Sequence, residues 1–239
     1  MSLRPLFLVL VVLAAGCGGD EKPALPQGSD PFELDPADFS SQIDNPFFPM
    51  SPGSTWVYKE KDVDGSLQRV EVAVTGRTKT IMGIEARVVH DLVTVEGKVK
   101  EDTLDWYAQD KAGNLWYLGE DTKEYEDGEV SSTAGSWEAG VDGALAGILL
   151  PADPQVGMTY RQEYYQGEAE DRAKVVSVDE HASVAFGAFD GVLKTEDTTA
   201  LEPGLVERKY YARDVGPVLT LAVSKEGPGR EELISFTKP

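Results

Sequence analysis

The sequence predicts an all-β protein: a single antiparallel sheet domain, built as a sandwich or a half-open barrel, with few short helices. Two observations carry this. Short runs rich in Val, Thr, Tyr and Trp alternate in polarity and stop at Asp-Gly, Glu-Gly and Lys-Ala-Gly turns. No helical period is sustained, so strands do not alternate with amphipathic helices as a parallel α/β sheet requires.

The elements follow in order. Thr55–Lys59 alternates and stops at Asp62-Val-Asp-Gly65, a tight-turn sequence. Leu67–Thr75 sets Val70, Val72 and Val74 on one face. Ile84–Val95 turns at Glu96-Gly97 into Val99–Ala108, and Asp110-Lys-Ala-Gly113 turns into Asn114–Leu118. Ala139–Leu150 is apolar but holds Gly140, Gly143 and Gly147, and reads as a loop or short helical turn. Thr159–Tyr165, Ala169–Val178, Gly191–Thr199, Leu205–Ala212, Pro217–Val223 and Glu231–Phe236 complete the set. One domain over 43–239 is expected, with a seam near Pro151–Gly157.

The N-terminus is a targeting segment. Arg4 is the only charge before Asp20, and Leu6–Ala15 is apolar. That run is too short to span a bilayer, which takes about 20 apolar residues. A basic start, a short apolar stretch and small residues read as a signal peptide, 1–16. The small residues end at the single cysteine, and Leu13-Ala-Ala-Gly-Cys17 resembles a bacterial lipobox. The resemblance implies that Cys17 becomes the first mature residue and carries lipid, with the membrane as its partner. The alternative is an ordinary cleaved signal with a chance cysteine, which would have no packing role there. Gly18 in place of Asp favours the outer membrane in a host with two membranes. Residues 17–42, with Pro23, Pro26, Pro31 and Pro36, read as the lipidated cysteine and a Pro-rich tether, with a short helical turn starting near Asp38.

Composition narrows the function. With 42 acidic against 22 basic residues the net charge is −20, which argues against nucleic acid as a partner. Losing Arg4 with the signal makes the mature chain more negative still. The charge is expected on turns and exposed strand faces. One cysteine excludes an internal disulfide and a Cys-rich zinc site.

Candidate sites are few. Glu60–Glu71 carries the oxygen spacing of a calcium loop, with Asp62, Asp64 and Glu71 as ligands and Gly65 at the turn. Its flanks alternate as strands, so a hairpin is the favoured reading and no cofactor is expected. Glu168 and Glu170 share a strand face in an acidic stretch that reads as solvated. His90 and His181 form no metal pair by spacing, and no nucleophile elbow or phosphate loop is present. The aromatics are more informative: adjacent pairs put one ring on each sheet face. Trp56, Trp106, Trp116, Tyr117, Trp137, Tyr164 and Tyr210 are the candidate ligand-facing set if one face is open, and core if both are covered.

Several tracts share a resemblance. They are Asn45-Pro-Phe-Phe-Pro49 with Trp56-Val-Tyr58, Trp106-Tyr-Ala-Gln-Asp110 with Gly113-Asn-Leu-Trp-Tyr117, Ser136-Trp-Glu-Ala-Gly-Val-Asp-Gly143, and Tyr210-Tyr-Ala212 with Val215-Gly216. In this order they resemble a group of uncharacterised bacterial lipoproteins and secreted proteins, over nearly the whole mature chain. The resemblance implies an envelope location and a β fold, and carries no catalytic residues. Physically, the Asn-Pro and Phe-Pro steps hold the chain extended, so the Phe rings can plug a sheet end. The expectation is a lipid-anchored envelope lipoprotein with a non-catalytic binding or structural domain, its partner an apolar ligand, a glycan or an envelope protein. The alternatives are a calcium-binding module on hairpin loops and a hydrolase acting on envelope polymers.

Overall fold

The computed structural model describes residues 25–225 and 227–239; the signal peptide, Cys17 and the start of the tether lie outside them. The strands are β1 (Phe39–Ser40), β2 (Thr55–Lys61), β3 (Leu67–Ile81), β4 (Ile84–Val95), β5 (Lys98–Asp110) and β6 (Leu115–Glu126). Then come β7 (Glu129–Ser132), β8 (Trp137–Glu138), β9 (Leu145–Leu150), β10 (Thr159–Arg161) and β11 (Glu163–Tyr164). The last are β12 (Asp171–Val184), β13 (Gly187–Thr199), β14 (Val206–Ala212), β15 (Gly216–Val223) and β16 (Pro228–Thr237). Among the described residues there is no α-helix, only a 3-10 turn at Pro36–Asp38 capped by the Asp35 side chain.

All the strands belong to one antiparallel sheet. Strands β12 to β16 pair in sequence, β16 pairs with β2, strands β2 to β6 pair in sequence, and β6 takes β9. The two ends of that run are held by one crossing segment. Within Thr159–Tyr164, β10 pairs with β12 while β11 pairs with β9, Glu163 standing opposite Ala146. The sheet is thereby nearly closed into a barrel, which decides against the sandwich. Leu145–Leu150, expected as a loop or helical turn, is a strand of this wall. Gly147 does not interrupt it, because β6 and the crossing segment supply its hydrogen bonds on both edges.

One end of the barrel is plugged. Ile43, Phe47, Phe48 and Met50 are buried beneath it. Phe48 meets Trp56 edge-on at 5.3 Å, and the Trp56 Nε1 donates to the Val215 carbonyl at 2.8 Å. The Asn45 side chain holds the bend, accepting from the Phe47 amide at 3.0 Å and donating to the Gly113 carbonyl at 3.1 Å. Each buried ring contributes about 1.5–3 kcal/mol. The other end is ringed by the turns at 62–66, 96–97 and 127–128 and carries no such plug among the described residues.

Residues 25–42, expected as a free tether, are a docked strap. Phe32 and Phe39 cover Trp116 at 5.4 and 5.8 Å, and Lys111 pairs with Asp38 at 2.6 Å. The decisive group is Arg161, 2% exposed. Its Nη1 donates to the carbonyls of Gly28 and Asp30, both at 2.8 Å, while Nε and Nη2 donate to the Ala146 carbonyl. The fixed guanidinium fork thus ties strap, crossing segment and β9 together. Composition could not show this, because the partner lies more than a hundred residues away. Arg161→Met should cost about 2–3 kcal/mol, since it strands buried carbonyls. Limited proteolysis should then cut within 25–42 well before the strands are attacked; equal protection of strap and barrel would refute the clamp.

Candidate functional site

The unplugged end holds a pit lined by carboxyl groups. On β2, Tyr58 and Glu60 share the phase of buried Trp56 and so point inward. Glu60 stands directly opposite Glu231 of β16, whose Oε1 accepts from Thr220 at 3.3 Å. Lys209 of β14 lies opposite Thr220, its Nζ 3.1 Å from Glu207 and 3.4 Å from Asp197. Asp197 also accepts from Gln162 of the crossing segment at 3.2 Å.

The facing wall continues the lining. Asp91 of β4 stands opposite Thr103, whose hydroxyl meets that of Thr122 at 3.0 Å. Asp105 stands opposite Glu120. Tyr117 donates to Asp105 at 2.6 Å, and Thr122 donates to Glu120 at 2.8 Å. Glu163 accepts from the Trp137 Nε1 at 2.8 Å. A hollow of about 490 Å³ lies between Glu60, Gln68, Glu101 and Ser131. A second, of about 150 Å³, lies between Glu60, Glu207, Lys209 and Glu231. Glu60 lines both.

Electrostatics follow from this crowding. Burial, then Glu231, pushes Glu60 up to about 8; burial, then Asp105, pushes Glu120 to about 8. Burial takes Glu231 to about 7 against the pull of Lys209. It takes Asp105 to about 6 against the hydrogen bond from Tyr117. Asp91 is held well above the carboxylate range by burial, then by Asp105 and by Glu231, which lies three strands away in the sheet. Those groups therefore face one interior. Glu207 goes the other way, lowered by Lys209. Burial opposes the Lys209 charge, but Glu207 and Asp197 outweigh it and hold its ammonium well above its usual value. Among the described residues, the buried Asp91 Oδ1 and the Tyr160 hydroxyl have no hydrogen-bond partner, while the Thr195 hydroxyl lies between Asp197 and Tyr211.

Two solved structures are similar to this chain. One is a candidate lipoprotein from Parabacteroides distasonis, 13% identical, covering 82% of this chain and 100% of its own, with a TM-score of 0.44. The other is a candidate exported protein with a YmcC-like fold from Bacteroides fragilis, 16% identical, covering 80% and 99%, also with a TM-score of 0.44. No family model and no curated protein matches the chain.

The aromatic set expected to face a ligand is placed otherwise. Trp56, Trp106, Trp116, Tyr117, Trp137 and Tyr210 are all buried, and Tyr164 is half-buried. Trp116 and Tyr117 do take opposite faces. Tyr117 turns into the pit, while Trp116 turns out, is covered by the strap and donates to Asp110 at 2.8 Å. Trp106 lies under Lys79, whose Nζ is 3.2 Å from the ring centroid, and Tyr210 lies under Lys194 at 5.1 Å. Both faces are covered, so the rings are core. Tyr164 and Trp116 line surface hollows of about 600 and 320 Å³.

The calcium-loop residues form a hairpin. Asp62 accepts from the Val63 amide and from Gln68, and Asp64 accepts from the Ser66 amide, whose bond holds its carboxyl below the usual range. Glu71 is on β3 and pairs with Arg69 at 2.9 Å. Among the described residues no three His, Cys, Asp or Glu side chains converge as a metal site. Glu170 accepts from the Gly167 amide in a turn. The acids that matter in that stretch are its ends, Glu163 and Asp171. His90 and His181 pair with Asp102 and Asp190 at 2.9 and 2.8 Å, and His90 lies near enough to Asp105 to pull on its carboxyl.

Expecting the charge on turns and exposed faces missed the pit. One signal was present: Glu60 keeps the period-two phase of Trp56 and Tyr58, and Asp105 that of Tyr107.

Proposed function

We propose that the protein is a non-catalytic binding protein of the bacterial cell envelope, held to a membrane by lipid on Cys17, with the acid-lined pit as its binding site. One observation carries this reading. Three pairs of acids around the pit stand directly opposite one another with no lysine bridging them among the described residues: Glu60 with Glu231, Asp105 with Glu120, and Glu101 with Glu124. Like charges directly opposite destabilise a sheet. A fold that keeps such a feature at its unplugged end bears a cost without structural return, which is the mark of a functional site. The sequence around Cys17 supports the anchor.

The anchor and the pit are tested separately. Radiolabelled palmitate should enter the wild type and not Cys17→Ala; equal labelling of both would refute the anchor. Protein purified from its own membranes without denaturant should release a small molecule on unfolding, and an Asp91→Asn, Glu60→Gln variant should not. Identical mass spectra of the two would refute the pit as the site.

A second reading has one observation in its favour. Asp105 and Glu120 form a carboxyl pair on the inward wall with values near 6 and 8, the setting of an acid and a base. A hydrolase would release reducing ends from envelope polysaccharide and lose that activity in Glu120→Gln. The acids continuing around the whole wall favour binding instead.

A further inference from the structure

We infer that the pit takes a linear polyamine, a chain of alkylammonium groups. This rests on the reading of the pit as a binding site and names its ligand class. Lys209 shows what the wall accepts. Its ammonium sits 3.1 Å from Glu207 and 3.4 Å from Asp197, an alkylammonium held between carboxylates inside the barrel. Farther along the wall, Glu60, Glu231 and Asp91 form a second acidic setting; Lys209 pulls on Glu231 from the hollow it shares with Glu60 and Glu231, but among the described residues no cation is hydrogen-bonded or ion-paired to these three acids.

One unpartnered atom points the same way. Asp197, 4% exposed, is already engaged by Lys209, Gln162 and the Thr195 hydroxyl. Asp91 Oδ1 has no donor among the described residues. A buried oxygen without a donor is a site for an N–H group brought from outside. A polyamine supplies several along one flexible chain.

One alternative fits less well. A divalent metal ion needs oxygen ligands converging on one point, and among the described residues none converge. The acids are instead spaced around a wall, which suits charges strung along a chain.

Calorimetric titration of the full lipidated chain in detergent tests this, with spermidine as the probe and calcium chloride at matched ionic strength beside it. Spermidine should bind saturably and calcium should not. Glu60→Gln and Asp91→Asn should each weaken binding at least tenfold while melting cooperatively. Glu85→Gln, an exposed acid at the plugged end, should leave it unchanged. No saturable spermidine heat, equal binding of calcium, or unchanged affinity in both pit variants would overturn the ligand class. If spermidine fails but a non-amine is released from the wild type and not from the pit variant, the pit remains a binding site for another chemistry. If neither is seen, both readings fall.

Discussion

The protein should melt at a higher temperature at pH 5 than at pH 8, by about 6–12 °C. The cause is the pit. Folded, Glu120 keeps its proton up to about 8, and Glu60 does the same, whereas a free glutamic acid releases it at 4.5. Glu231 and Asp105 behave likewise up to about 7 and 6. Between the unfolded and folded values the native state holds more protons than the unfolded state. Stability therefore falls as pH rises through this window. One pKa unit corresponds to 1.36 kcal/mol. Water reaches most of these side chains and screens them, so about 3 kcal/mol for the set is expected rather than the full sum. At about 2–4 °C per kcal/mol for a chain of this size, that gives the range above. Glu207, lowered by Lys209, contributes with the opposite sign. Its stabilisation is lost only as pH falls below the ordinary carboxylate value, outside the window. Glu120→Gln keeps an acceptor for Thr122, removes one raised group, and should both flatten the profile and raise the melting temperature at pH 8. Melting curves followed by circular dichroism across pH 5–8 decide the matter; a temperature that is flat or rises with pH would refute it.

This result separates what alternation can show from what it cannot. The long strands are legible because each writes its own period-two pattern and ends at its own turn. Leu67–Ile81 and Ile84–Val95 pair around Met82-Gly83, a hairpin that needs only its neighbours. The plug was legible for the same reason, since the Asn-Pro and Phe-Pro steps act locally. Alternation assigns residues to two faces but does not say which face is interior. Here both faces bury rings, Tyr117 inward and Trp116 under the strap, so aromatic content could not tell them apart. The acids at the inward phase were then indistinguishable from solvated ones. Strand β9 and the strap were hidden by a different cause. Both are held by the crossing segment, and their partners, Arg161 and Gln162, are remote in sequence from the strap. Closure of the barrel is a long-range event, and local patterning is silent about it.

The largest loss of stability should come from a single methyl group at that closure. Gly147 lies on β9 where the crossing segment passes against it. A Cβ placed there would overlap the Gln162 carbonyl and crowd the Arg161 oxygen. Both obstacles are backbone, so neither can swing aside as a side-chain tip would. Gly147 has no positive φ, so the requirement is one of space rather than of conformation. The same few residues carry the Arg161 clamp, the Gln162 bond to Asp197 and the pairing of Glu163 with Ala146. Gly147→Ala therefore parts the wall, the strap and one side of the pit together. The expected cost is above about 4 kcal/mol, the range reached only by a few named mechanisms such as overpacking against rigid neighbours. Gly76, also without positive φ and with open space where its Cβ would stand, is the control. Gly76→Ala should stay within about 0.5 kcal/mol of wild type. Denaturant titration of the three chains provides the comparison. A Gly147→Ala protein as stable as the Gly76→Ala protein would mean that the barrel closes somewhere other than at the crossing segment.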